Sequence, residues 1–346
     1  MTLERARETE DPISGRFQQR LLGWFDRHKR DLPWRQDRDP YRVWLSEVML
    51  QQTRVAAVTN HYGRFLQRFP SVEKLAAARE ASVLAAWSGL GYYRRARMLH
   101  AAAKQIVKEH GGKFPESAEA LRALPGIGRY TAAAIASIAF GQPVAVVDGN
   151  VERVLQRVHG KNIAGEELWR AAGELLSQER PGDFNQAMME LGATVCLPRQ
   201  PRCLLCPVSD LCATRGELQR QIKATRQTKR HIHYTLACRN GSIFLVQRSK
   251  TAALMPGMWE LPALRDTQVA ATQLRMAVRH AIMQVNYYVR IRTVYEDDAE
   301  ALTIPSERRR WISLYDLDTL PLTGLARKVL LRAKLSELAP NVPVLD

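Results

Sequence analysis

From Phe17 to about Cys212, apolar residues recur at helical spacing between Pro and Gly breaks, with few β-branched runs, and the pattern predicts an all-α region over 16–213. Asp39-Pro40 opens one helix with an Asp N-cap and Pro at the first helical position, followed by an apolar-rich run over 43–55. Further helices are predicted over 82–87, 94–109, 131–140, 151–158 and 166–177. The period then fades: residues 214–230 carry six basic side chains and one acid and read as a linker. Beyond it, strands over 232–238 and 242–247 flank Arg239-Asn240-Gly241, a hairpin signal. A strand over 285–294 and a closing helix over 322–338 complete an α+β region, 231–346. No internal repeat or low-complexity tract interrupts this two-domain plan.

Composition narrows the partner. The chain has 346 residues, 46% of them hydrophobic, with 51 Lys and Arg against 35 Asp and Glu, a formal charge of +16. Such a chain buries a core and is not disordered, and an excess of this size points to a polyanion, nucleic acid first. No apolar run approaches the ~18–20 residues of a membrane span, and residues 1–15 lack an apolar signal core, so a cytoplasmic protein with no membrane partner is expected.

Candidate chemistry lies in four places. Leu-Pro-Gly126-Ile-Gly128-Arg-Tyr-Thr leads into an Ala-rich helix; the two glycines allow a tight turn whose N–H groups, with the helix N-terminus, make a phosphate cradle, or else an ordinary helix–helix turn. Asp148, in Val-Val-Asp-Gly-Asn-Val, either caps the next helix, a role open to Asn150 as well, or supplies an anion that stabilises a cationic sugar. Glu47 sits among Val43, Trp44, Leu45, Val48, Met49 and Leu50, where burial would raise its pKa and make it a proton donor; the alternative is a surface Glu paired with Arg42 or Arg54. Two carboxylates in unlike environments are what glycosidic cleavage needs. Finally, Cys196, Cys203, Cys206 and Cys212 are spaced C-x6-C-x2-C-x5-C; with one C-x2-C only, a 4Fe-4S cube suits them better than zinc, and Arg199 and Arg202 would offset its charge. The fifth cysteine, Cys238, reads as a buried strand residue.

These motifs together resemble the adenine DNA glycosylase (MutY-type) family of the helix-hairpin-helix, endonuclease III superfamily. The matching segments are Leu-Pro-Trp-Arg at 32–35, residues 39–55, Ser-Gly-Leu-Gly-Tyr-Tyr-Arg-Arg-Ala-Arg at 88–97, the hairpin, Val-Asp-Gly-Asn-Val, Phe-Asn-Gln-Ala-Met-Met-Glu-Leu-Gly-Ala at 184–193 and the cysteine spacing. The resemblance implies an all-α helix-hairpin-helix catalytic domain with a 4Fe-4S cluster loop (16–213), the linker, and a Nudix-like α+β domain (231–346). It implies excision of adenine mispaired with 8-oxoguanine or guanine in double-stranded DNA by a bacterial, nucleoid-associated monomer.

On the same ground, Glu47 protonates the flipped adenine at ring nitrogen 7. Asp148 stabilises the oxocarbenium ion, as an ion pair or through a transient adduct that water resolves, and Tyr130 and Asn150 orient the carboxylates. Trp34, Arg35 and Gln186 line the adenine pocket, and Gln52 and Tyr92 are wedges filling the place of the extruded base. Endonuclease III-like relatives have lysine where this chain has Tyr130; a phenol forms no Schiff base, so base removal without efficient strand cleavage is expected. Glu152 stands where some members carry Lys, with little consequence expected.

In the C-terminal region, residues 244–262 carry the Nudix likeness, but the Glu-rich catalytic Nudix box is missing after Pro262, which argues against nucleoside diphosphate hydrolysis. The family's Phe-Ser-His recognition loop is best matched by Val278-Arg279-His280, keeping only His280. Arg94, Arg95, Arg97 and the linker are the expected phosphate contacts. The rivals are a sibling glycosylase for thymine mispairs or oxidised pyrimidines and a non-catalytic cluster protein; Gln186 with the long extension speaks against the first, and Glu47 with Asp148 against the second.

Overall fold

The computed structural model describes residues 12–218, 227–264, 269, 272–282, 284–303 and 308–334. They fall into two compact units, one within 1–63, 71–73 and 101–222, the other within 64–70, 74–100 and 223–346. The helices up to Thr194 are α1 (Pro12–His28), α2 (Pro40–Leu50), α3 (Val55–Arg68), α4 (Val72–Ala77), α5 (Glu80–Ala86), α6 (Arg94–His110), α7 (Ala118–Arg122), α8 (Arg129–Phe140), α9 (Gly149–His159), α10 (Gly165–Leu175) and α11 (Pro181–Thr194).

In the first unit, Asp39 caps α2 as its sequence suggests: the carboxylate accepts from the Tyr41 N–H at 2.8 Å. Burial of Trp44, Leu45 and Met49 anchors α2, each large side chain contributing about 1.5–3 kcal/mol. α8 packs against both α2 and α11. Its run of buried alanines, Ala132 to Ala136 apart from Ile135, lets neighbouring backbones come close. A side chain at Gly182 would meet the Ser137 carbonyl at 2.6 Å, so glycine is required where α11 crosses α8.

The second unit holds β1 (Thr228–Leu236), β2 (Cys238–Arg239), β3 (Ser242–Gln247), β4 (Trp259–Glu260), β5 (Gln273–Ile282), β6 (Val285–Thr293) and β7 (Arg308–Ser313), with α12 (Ala299–Leu302) and α13 (Gly324–Arg332). One sheet has the order β1-β6-β5; in the other, β3 pairs with β2, β4 and β7. Tyr234, Ile243, Leu245, Val289, Ile291 and Val329 belong to the core between strands and α13. Residues 74–100 join this unit through hydrogen bonds: Ser88 Oγ and Tyr93 OH both donate to the Leu322 carbonyl (3.1 and 3.0 Å), and Arg97 donates to Pro256 O (2.6 Å). The unit boundary therefore differs from a single cut at the basic linker.

The structure corrects several expectations. The predicted hairpin turn forms, with φ of 47° at Asn240 and 70° at Gly241, but only Cys238 and Arg239 pair with β3. At Ala237 the strand changes sheets, and β1 pairs in parallel with β6 instead. β1 begins at Thr228, inside the segment read as linker; of that segment, residues 219–226 lie outside the described residues. Cys238 is exposed, because β2 is too short to be covered. β5 takes in Val278-Arg279-His280, which is therefore strand and not a recognition loop. Its alternation is hidden by a bulge between Leu274 and Met276 and by the adjacent Arg279 and His280, which put a polar group on each face.

Candidate active site

Glu47, read as either buried or surface-paired, is 6% exposed in the middle of α2. Arg42 pairs with Asp37 instead. The Tyr130 hydroxyl, at the start of α8, donates to Glu47 Oε2 at 2.5 Å and also touches Met189 Sδ at 3.2 Å. Burial pushes the Glu47 pKa up to about 7, with the Asp148 charge adding to the rise; the Tyr130 hydrogen bond and the Arg35 charge oppose it. Burial and the two carboxylates push the Tyr130 phenol well above its ordinary value, so it remains a donor.

Asp148 is the N-cap of α9. Its Oδ1 accepts from the backbone N–H of Asn150 (2.9 Å) and Val151 (2.7 Å), and Oδ2 accepts from Asn150 Nδ2 (2.9 Å). The capping and functional readings of this residue are thus compatible: capping aims the carboxylate. Asn150 Oδ1 accepts from Arg153 Nη2 (2.8 Å), and Arg153 donates onward to the carbonyls of Cys196 (2.8 Å) and Gly192 (2.7 Å). A side chain at Gly192 would lie 2.6 Å from Asn150 Cβ, so α11 presses directly on the start of α9.

Around Arg35 the sequence reading missed two partners. Glu190, 1% exposed, accepts from Arg30 Nε (2.6 Å) and Nη2 (2.8 Å) and from Arg35 Nη2 (2.9 Å). Burial pushes Glu190 up, but the Arg30 hydrogen bond and the Arg35 charge outweigh it and hold the carboxyl below its usual value. The signal was present: Glu190 interrupts an apolar helix run just as Glu47 does. Trp34 is buried edge-on to Tyr62, and Gln186 is half-buried on α11, one turn before Glu190. Gln51, also unmarked by sequence, donates to Thr131 Oγ1 at 3.2 Å.

Gln52 and Tyr92 are both exposed and both left-handed, with φ of 56° and 47°. That conformation is costly for residues with a Cβ and persists mainly where function requires it. Gly126 turns the hairpin at φ 75°, and Gly128 is the N-cap of α8, which has no side-chain cap on its first N–H groups. Of the arginines after Tyr92, Arg94 is exposed. Arg95 stacks on Trp87 and Tyr92 and bonds the Leu90 and Gly91 carbonyls, while Arg97 pairs with Glu80. Arg95 and Arg97 are half-buried and Arg97 also donates to Pro256 O, so Arg94 is the exposed one of the three. His280, half-buried, has its pKa lowered by burial and by Lys328.

Cys196, Cys203, Cys206 and Cys212 line one cavity together with Arg157, Arg202 and Arg215. Arg157 Nη1 donates to Cys196 Sγ (3.2 Å) and to Leu197 O (2.7 Å). Burial pushes the Cys206 thiol up to about 11 and raises Cys203, with neighbouring sulfur charges adding to both, so thiolates here call for cationic compensation. Among the described residues no group of three or more His, Cys, Asp or Glu converges as the ligands of a single ion would. The four cysteines thus share one cavity lined by arginines, with a single C-x2-C pair among them.

The fold and this site place the chain in a class. Residues 45–178 match the HhH-GPD superfamily of base excision DNA repair proteins. A thermostable thymine-DNA glycosylase structure aligns with a TM-score of 0.55 at 31% identity, over 58% of this chain and 95% of that one. A non-covalent endonuclease III–DNA complex shares the fold at a TM-score of 0.51 and 22% identity, over 58% and 96%.

Among curated relatives, the adenine DNA glycosylase of Homo sapiens is 50% identical over 220 residues, 59% of this chain and 40% of that protein. That of Arabidopsis thaliana is 40% identical over 294 residues, 70% and 46%. The adenine DNA glycosylase of Buchnera aphidicola (strain APS) is 32% identical over 274 residues, 75% and 77%. The chain belongs to the adenine DNA glycosylase family. It spans about 40% of the length of the mammalian relatives. No helix among the described residues is long and apolar enough to cross a membrane.

Proposed function

We propose that the protein excises adenine from double-stranded DNA in which it is mispaired with 8-oxoguanine or guanine, hydrolysing the N-glycosidic bond without cutting the backbone. The observation that carries this reading is the buried Glu47, held by Tyr130 at 2.5 Å within the field of Asp148. A carboxyl with a pKa of about 7 is protonated in a substantial fraction of molecules near neutral pH and can release that proton to the adenine ring as the C1′–N bond breaks and its electrons pass to the base. Asp148, fixed by three N–H donors, faces the positive charge left on the sugar. A water oxygen then bonds to C1′, and its proton returns to a carboxylate.

Trp34, Arg35 and Gln186 receive the extruded base; Gln52 and Tyr92, both exposed, are wedges that fill its place in the duplex. Gly126 and Gly128 cradle a phosphate. Tyr130 has no amine for a Schiff base, which supports a monofunctional enzyme; the protein acts as a monomer.

Cys196, Cys203, Cys206 and Cys212 hold a 4Fe-4S cluster, which when bound supplies a rigid cross-link for the loop they share. The C-terminal region, 231–346, is Nudix-like without the hydrolytic box and reads the opposing base, with His280 contributing. A panel of duplexes carrying A:8-oxoguanine, A:G, T:G and thymine glycol:A, assayed with and without alkaline cleavage, tests the function. Alkali-dependent product confined to the two adenine mispairs is the expected result. Product from T:G or thymine glycol, or none from any duplex, overturns it.

A further inference from the structure

The outer face of the β1-β6-β5 sheet has an unusual make-up. Not one residue of β1, β5 or β6 is acidic, and on the face opposite the core lie Lys229, His231, His233, Arg279, Arg290 and Arg292. A solvated face ordinarily intersperses both signs, since uncompensated like charges repel. The pairing register puts His231, Tyr288 and Arg279 in one row across the three strands, and Arg290 beside His233 two residues further along the same face. Val278, Tyr287, Val289 and Ile291 point the other way, into the core.

The row is ordered. His231 stacks on Tyr288 (centroids 5.2 Å apart, planes 17° apart), and the Arg279 guanidinium lies 5.7 Å from the Tyr288 ring. Lys229, His231, Arg279 and Arg290 are exposed. These contacts restrain the three side chains, so they have less freedom to lose on binding than isolated surface groups would.

We propose that this face is a docking surface for the sugar-phosphate backbone of DNA, contacted through Lys229, His231, Tyr288, Arg279 and Arg290. The commitment to DNA rests on charge complementarity and on the repair reading above. Basic groups with no acid on their strands suit phosphates, contacts that position a duplex and carry no base readout.

The test compares the full-length protein with its Arg279→Ala/Arg290→Ala double variant, on a duplex without mispair or lesion, across roughly 50 to 200 mM salt. Every phosphate that a side chain no longer neutralises lowers the slope of log affinity against log salt by about 0.9, so the slope should fall by about two and affinity at low salt by about ten-fold or more. The Arg279→Lys/Arg290→Lys variant should recover most of the slope, which a variant damaged in folding would not. Unchanged slope and affinity in the alanine variant overturn the proposal, as does a change confined to self-association, which would assign the face to a second copy. Because the duplex holds no adenine mispair, this result stands apart from whether adenine is excised.

Discussion

The hydroxyl of Tyr130 donates to Glu47 Oε2 at 2.5 Å, tying the first turn of α8 to the middle of α2 inside the protein. That bond opposes the rise that burial imposes on Glu47, because a donated hydrogen bond favours the carboxylate. Excision needs the protonated acid, so the wild-type rate should fall as pH rises through about 7. Tyr130→Phe should move this fall to higher pH while lowering the plateau, measured as single-turnover rates across pH. A limb that stays in place would show that Tyr130 does not tune Glu47.

Glu47 should cost stability at alkaline pH. Its folded pKa lies above the ordinary 4.5, so the penalty is absent below about 4.5, grows through the window up to about 7 and is complete above it. Glu47→Gln should therefore stabilise the protein by up to about 3 kcal/mol at pH above 7, at about 1.4 kcal/mol per pKa unit, and by much less in acid. Denaturant midpoints in acid and in base check this; an equal change in both contradicts it. The same variant should bind mismatched duplex and fail to excise.

Glu190 compensates the charge of Arg35, whose field reaches Glu47. Glu190→Gln should move the alkaline fall in rate to lower pH, since Arg35 then acts unopposed on Glu47; Arg35→Met should move it to higher pH. Opposite shifts in paired pH–rate profiles are the outcome to look for, and shifts of one sign would defeat the argument. Breaking this buried pair should also cost about 3–5 kcal/mol.

Gly192→Ala should impair activity by a backbone route. The added methyl would sit 2.6 Å from Asn150 Cβ and push α9 off α11, at about 1–3 kcal/mol of stability. Because Asn150 holds Asp148, excision should fall more than duplex affinity, seen as a lower single-turnover rate with nearly unchanged binding.

Cys203→Ser should reduce iron and sulfide per protein and weaken DNA affinity. Full iron and sulfide in the purified variant would refute the four-thiolate cluster.

Much of the site was legible because its chemistry is local. An acid in an apolar helix, Gly-x-Gly before a small-residue helix, Asp before Gly-Asn and clustered cysteines each occupy a few consecutive positions; Glu47 is buried and Asp148 caps α9, as those patterns allowed, whereas Tyr130 was marked only by the family resemblance. Asp39-Pro40 and Asn240-Gly241 were readable for the same reason, since capping and turn conformation depend on adjacent residues.

What the tertiary structure alone decided involves pairs distant in the chain. Glu190 meets Arg30 and Arg35 across more than 150 positions, and Gly192 meets Asn150 across a helix crossing that no periodicity encodes. β1 pairs in parallel with β6 and leaves the expected hairpin, because non-local burial of Tyr234 and Leu236 against Val289 and Ile291 outweighs the turn's local preference. Val278-Arg279-His280 became strand because Val278 has a core to fill. The amino-acid sequence by itself determined which groups carry protons, charge and sulfur; the fold decided their distances and solvation, and with these the raised pKa of Glu47.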